Sequence, residues 1–372
     1  MSLAAAARVG DAVDAIDTPA LVIDLDALER NIERMAAYAR EHGLRLRPHA
    51  KTHKCAEIAR RQIAAGAVGV CVQKLSEAQA LAEAGIDDIF VSNQIVDEAK
   101  LAGLAALAGR IKLAIAVDSA LGVDRLAAAL KASGSTLDVF VEVDVGHGRC
   151  GVAPTAAVAL AHQVVSHGLR FAGLQAYHGR AQHLRTPAER ESAIRHAVGL
   201  ARAAQAGVTS AGITCPLVTG AGTGTFVLEA ASGLYGEIQP GSYVFMDRDY
   251  ADNHAAPQAP AFKHALFVKS QVMSAGSSHV VIDAGHKSHA IDSGLPRVLG
   301  RELEFINGGD EHGILRRHGG APLPALGETV WLIPGHCDPT VNLHWHYIAV
   351  RGGLAAGRVE AVWPIEARGC IR

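Results

Sequence analysis

The chain has 372 residues, enough for one large domain and a smaller second one. Its 35 basic residues nearly balance its 37 acidic ones, so it lacks the net basic field that nucleic acid or an anionic membrane surface would need in a partner. No apolar run is long enough to span a bilayer, "MSLAAAARVGD" lacks the features of a signal peptide, and the six scattered cysteines form no C-x-x-C pair, so a cytoplasmic protein with free thiols is expected.

The segment "DTPALVIDLDALERNIERMAAYAREHG" predicts a short strand and then a helix that stops at Gly43. Strand-like runs follow at 44–50, 68–73, 88–93, 112–118, 138–144, 170–178, 216–220 and 236–245, with Ala-rich helical stretches between most of them, many closed by glycine. Eight such strands close a parallel barrel with the helices outside, so an α/β fold of the (β/α)8 TIM type is predicted over 17–255. An open doubly wound sheet is the alternative, because the seventh unit is weak. Past residue 258 the helical patterns give way to short strands such as "HVVIDAG" and "TVWLIPGHCD", which predicts a β-rich domain over 259–372. Residues 1–16 belong to neither, and packing on the second domain is left open.

The predicted strands end in polar residues or glycine loops, and in such barrels chemistry gathers at the C-terminal strand ends. Lys51 ends the first of them within "RPHAKTHK". Positive charge from His49, His53 and Lys54 is expected to lower its pKa and free the amine for Schiff-base formation. After the seventh strand comes "VTGAGTGTF", with Gly222, Thr223 and Gly224, and after the eighth "QPGS", with Gly241 and Ser242. Such loops present backbone N–H groups to a phosphate. A reactive lysine and a phosphate cradle on one barrel mouth point to pyridoxal 5'-phosphate. In "GHCDPT", an extended backbone would turn His336 and Asp338 to one side and Cys337 to the other, a pair suited to Mn²⁺, Mg²⁺ or Co²⁺. His183, in "HGRAQH", is a candidate base or partner of a metal-bound water; solvated loop histidines are the commoner case.

Taken together, "DTPALVIDLDALERN", "RPHAKTHK", "VDVGHGRCGV", "GLQAYHGRAQH", "TGAGTGTF", "IQPGSYVFMD" and "PGHCDPTVN" resemble the alanine-racemase-like, fold-type III pyridoxal-phosphate enzymes. Within them the chain is similar to the D-threonine aldolase and D-serine dehydratase group. The resemblance implies that Lys51 carries the cofactor, Arg149 reaches its phenolic oxygen and Tyr177 lies along its ring. Gln239 then stands where the racemases place an arginine opposite the pyridine nitrogen. In the dehydratases a cysteine replaces the carboxylate of the metal pair; Asp338 therefore favours the aldolase branch, with Mn²⁺ as the first choice of ion. The implied activity is cleavage of D-threonine-like or D-phenylserine-like substrates to glycine and an aldehyde by a homodimer. A dehydratase, a racemase and a non-catalytic cofactor-binding protein are the alternatives. His286, His289, His344 and His346 are left without a role.

Overall fold

Two sheets organise the chain, and the computed structural model describes residues 5–256 and 259–372. The first strand, β1 (Ala20–Asp24), leads directly into a helix over Leu25–Glu41, whose N-terminus is capped by Asp24 Oδ1 accepting from the N–H of Ala27 at 3.0 Å. Leu28, Ile32, Met35 and Ala39 recur at helical spacing and form its buried face.

The barrel strands are β2 (Arg45–Leu46), β3 (Val70–Val72), β4 (Asp88–Val91), β5 (Lys112–Val117), β6 (Asp138–Glu142), β7 (Arg170–Ala176), β8 (Val218–Gly220) and β9 (Glu237–Ile238). They run parallel in the order β2-β9-β8-β7-β6-β5-β4-β3. Backbone bonds from Val68 to Leu46 (2.9 Å), Cys71 to Pro48 (2.8 Å) and Ala50 to Cys71 (2.8 Å) join the two ends of this order. The ring is closed, as eight strands predicted, and the open sheet is ruled out. Cys71, Phe90, Ala114, Ala116 and Phe140 fill one buried cluster, while the alternate residues Val70, Val72, Ile89, Val91, Ile115 and Val139 join the larger cluster with the helices. Both faces of these strands are buried, which explains their near-continuous apolar sequence. Gly173 in β7 has φ +138°, and a Cβ there would lie 1.9 Å from the carbonyl oxygen of Leu217. Only glycine lets the chain pass so close.

The second sheet contains β10 (Leu266–Ala275), β11 (His279–Ile282), β12 (Arg297–Val298), β13 (Leu303–Asn307), β14 (Gly313–Arg317), β15 (Thr329–Ile333), β16 (His346–Arg351) and β17 (Arg358–Pro364). Its order is β13-β14-β11-β10-β1-β16-β17, with β15 on β10 and β12. Here β1 departs from expectation. It lies within the 17–255 stretch read as barrel, yet pairs antiparallel with β10 and parallel with β16. Its position just before a helix imitates a barrel unit, but Leu21, Val22 and Ile23 are all buried and need partners at both edges. Val13 and Ile16 pack beside them against Ile348, Val350 and Val359, so the segment before β1 also sits on the second sheet.

Candidate active site

The C-terminal ends of the barrel strands open into a cavity of about 390 Å³, a size suited to a small molecule. Lys51, Arg149, Tyr177, His183, Gly222, Thr223, Gln239, Gly241, Ser242 and His336 line it, as do His147, Gln175, Arg180 and Tyr250, to which the sequence reading gave no site role. Two expected residues stand back from the lining. Gly224 donates its N–H to Gln182 Oε1 at 2.9 Å, so that group is not free for a phosphate. Asp338 is ion-paired with Lys51 Nζ.

The environment of Lys51 differs from the expected one. Burial depresses the basicity of both flanking imidazoles, His53 to about 4 and His49 well below its ordinary value, so neither carries charge. His49 Nδ1 accepts from the N–H of Lys51 at 3.4 Å, and its Nε2 is engaged by Gln73 at 2.8 Å. Lys54, at φ +52°, turns its ammonium to Glu77. Burial alone would lower the Lys51 pKa, but the Asp338 carboxylate, together with Tyr177 and Glu77, holds the amine above its ordinary value. Without a cofactor, Lys51 is an ammonium.

The glycine loops fit a phosphate. Among the described residues, no backbone acceptor takes the N–H groups of Gly222, Thr223, Gly241 or Ser242. A Cβ on Gly222 would lie 2.5 Å from Gln182 Oε1, and one on Gly241 2.6 Å from Thr52 Oγ1, so side chains are excluded from the cradle. The floor of the cavity is a pair of neutral amides. Gln239 donates to Gln175 Oε1 at 2.9 Å and to Thr219 Oγ1 at 2.7 Å, and accepts from Gln175 at 3.1 Å. The Arg149 guanidinium stands 5.8 Å from the centre of the Tyr177 ring, and burial raises the Tyr177 pKa. Lysine, cradle and arginine together match what pyridoxal phosphate needs.

His183 closes a short turn, Arg180–His183, that follows β7. Its Nδ1 lies 2.5 Å from Asp249 Oδ2. Although half-burial works against the charge, hydrogen bonds from His183 and Arg185 hold the Asp249 carboxyl at about 2. An ionised carboxylate only accepts, so Nδ1 carries a proton, and in the neutral ring Nε2 is then the acceptor. Asp249 was missed in the sequence because nothing in "MDRDYAD" distinguishes it from its acidic neighbours.

The His336 and Asp338 geometry also corrects an expectation. Cys337–Val341 is a short helix, not extended chain, and His336 is its extended N-cap. Asp338 and Pro339 occupy the first turn, where an acidic residue and a proline are favoured, and that signal was legible. The two side chains still converge: His336 Nε2 lies 4.0 Å from Asp338 Oδ1, which has no hydrogen-bond partner among the described residues. His336 Nδ1 is held by Asp292 Oδ2 at 2.7 Å, leaving Nε2 for a ligand. An unpartnered buried carboxylate oxygen beside an oriented imidazole fits a divalent ion, and Asp292 supplies the outer carboxylate such sites use. Cys337 is buried, and its N–H donates to Asp247. The remaining histidines lie off the cavity lining. His289 packs on Phe305, His344 bonds the carbonyl of Ser288, and His286 pairs with Asp310.

The barrel and the second sheet match two known domain families. Residues 23–249 match the alanine racemase N-terminal domain, and residues 265–350 the serine dehydratase domain. The fold and site thus define an alanine-racemase-like barrel enzyme with an added β domain. The chain belongs to the family that joins these two domains and includes the D-threonine aldolases. It is 46% identical over 370 residues to D-threonine aldolase of Arthrobacter sp, covering 98% of this chain and 96% of that protein. It is 41% identical over 364 residues to 3-hydroxy-D-aspartate aldolase of Paracoccus denitrificans, covering 95% and 92%. The crystal structure of D-threonine aldolase from Filomicrobium marinum superposes with a TM-score of 0.96 at 46% identity, covering 100% of both chains.

Proposed function

We propose that the chain is a carbon–carbon lyase that cleaves D-3-hydroxy amino acids by retro-aldol reaction to glycine and an aldehyde, using pyridoxal phosphate and a divalent metal. The observation that carries this reading is the convergence of Lys51, the His183–Asp249 pair and the His336–Asp338 pair on one cavity, in a chain 46% identical to a D-threonine aldolase. Lys51 would hold the cofactor's carbonyl carbon, the N–H groups of Gly222, Thr223, Gly241 and Ser242 its phosphate, and Arg149 its ring oxygen. The bound cofactor supplies an electron sink for a bond to Cα. The metal, Mn²⁺ by preference with Mg²⁺ or Co²⁺ also suited, would be held by His336 Nε2 and Asp338 and supplies Lewis acidity.

The chain's own contribution is proton transfer and orientation. His183 Nε2 takes the proton of the substrate's β-hydroxyl, and Asp249 holds the ring in the tautomer that can accept it. Loss of that proton lets the β-oxygen become a carbonyl as the Cα–Cβ bond breaks. The Gln239–Gln175 amides offer a ring nitrogen dipoles without charge, so proton removal at the β-oxygen has more of the barrier to lower. A homodimer in the cytoplasm is the assembly and setting we propose.

The test is to load the protein with pyridoxal phosphate and Mn²⁺ and supply D-threonine. Glycine and acetaldehyde should form, a chelator should stop their formation, and Mn²⁺ should restore it. Keto acid and ammonia as the main products would make it a dehydratase, and equal rates on L-threonine would refute the stereochemical assignment.

A further inference from the structure

We infer that Arg180 selects substrates that carry a second carboxylate on Cβ, the 3-hydroxyaspartate class, over those with a methyl or aryl group there. The inference rests on the retro-aldol reading of the same site. Three observations support it. The first is the absence of an apolar subsite. Among the described residues, no Ala, Val, Leu, Ile, Met, Phe or Trp lines the cavity, and the carbon-rich rings that do are Tyr177 and Tyr250. A methyl or phenyl substituent gains little from burial against amides, hydroxyls and imidazoles.

The second observation is charge. Among the described residues no Asp or Glu lines the cavity, whereas Lys51, Arg149 and Arg180 do. Lys51 is matched by Asp338, and Arg149 stands over Tyr177, where the cofactor's ring oxygen is expected. Arg180 is exposed and forms no salt bridge among the described residues. A guanidinium of this kind, at the mouth of a cavity without acidic walls, is suited to a planar carboxylate.

The third is position. Arg180 and His183 begin and end one 3-10 turn. Side chains three apart on such a turn eclipse each other, separated by about 6 Å along its axis. Both side chains thus start from one side of the turn and both line the cavity, so a cation and the proton-accepting imidazole share a wall. His147 supports the turn: a Cβ on Gly179 would lie 2.2 Å from its Cε1, and its Nδ1 accepts from the N–H of Gly179 at 3.1 Å. Its Nε2–H is then a second donor on the cavity wall. Partial burial and the neighbouring arginines push the His147 pKa down to about 4, so it serves as a neutral donor.

Binding and turnover test this separately. In the holoenzyme, D-aspartate and D-asparagine lack the β-hydroxyl and serve as uncleaved probes, with Kd read from the change in cofactor absorbance. D-Aspartate should bind about 10- to 100-fold tighter, the range of one charge-assisted pair. Arg180→Gln should remove that preference and Arg180→Lys keep part of it. Arg180→Gln should raise KM for D-threo-3-hydroxyaspartate by a larger factor than KM for D-threonine. Equal affinity for the two probes in the native enzyme would overturn the assignment. So would an equal loss for all ligands in Arg180→Gln, which would place Arg180 on the α-carboxylate. No glycine from either hydroxy amino acid, with the D-aspartate preference still dependent on Arg180, would refute the retro-aldol reading and leave the Arg180 assignment standing.

Discussion

Lys51 lies between two imidazoles that carry no charge, so its basicity is set by burial, which lowers it, against the carboxylate of Asp338 and its neighbours, which raise it. Once the amine is tied up by a cofactor, Asp338 loses its counter-charge, and a divalent ion held with His336 would replace it. Lys51→Ala should abolish both turnover and the borohydride-reducible cofactor linkage, checked by absorbance and by peptide mapping; a reducible adduct at another lysine would contradict this. Asp292→Ala should weaken Mn²⁺ binding about 10- to 100-fold in calorimetry, because His336 would lose its orienting partner. Glu229 gives a test of stability. Burial raises its carboxyl from 4.5 to about 7, and its Oε2 has no partner among the described residues. Between pH 4.5 and 7 the unfolded chain has released this proton and the folded chain has kept it, so stability falls as pH rises through that window and then levels off. The difference is worth about 3 kcal/mol at most. Glu229→Gln should therefore match the native Tm near pH 4 and exceed it above pH 7, by thermal melts at both values. Lys51 and the glycine loops were readable because strand ends and glycine-rich turns leave local signals, whereas Arg149, Tyr177 and Gln239 were assigned through the family resemblance. Asp249, Asp292 and Gln182 were not. Each acts by reaching a partner distant in the chain, and a single acidic or amide residue carries no mark of that.

Among the elements, the strands shrink most between expectation and structure. The run at 236–245 becomes Glu237–Ile238, since the following proline and glycine end the pairing. Periodicity marks where apolar chain lies but not where hydrogen bonding stops. The "GHCDPT" segment shows the same limit, for alternation of side chains suggested extended chain where an acidic, proline-bearing first turn starts a helix. Packing between β7 and the chain entering β8 depends on one residue. Gly173→Ala would force a methyl against the Leu217 carbonyl in a backbone region that L-residues avoid. A loss of at least about 2 kcal/mol is expected, read as a lowered denaturant midpoint with no change in the slope. A midpoint equal to the native one would mean that β7 can shift away from Leu217 at little cost.

At the scale of the molecule, the barrel and the second sheet share a core. The buried face of the first helix, with Leu28 and Met35, joins Phe245, Val268 and Leu332 in one cluster. Calorimetry should accordingly show a single unfolding transition, and two resolved transitions would mean that the shared cluster does not couple the sheets. The placement of β1 also bears on how the protein is made. Val22 pairs with Phe267 on one side and with Ile348 on the other. A ribosome adding about 5–20 residues per second releases this strand tens of seconds before its last partner leaves the exit tunnel. During that interval a largely apolar strand waits unpaired while the barrel closes behind it, and a holding chaperone would find its binding segment there.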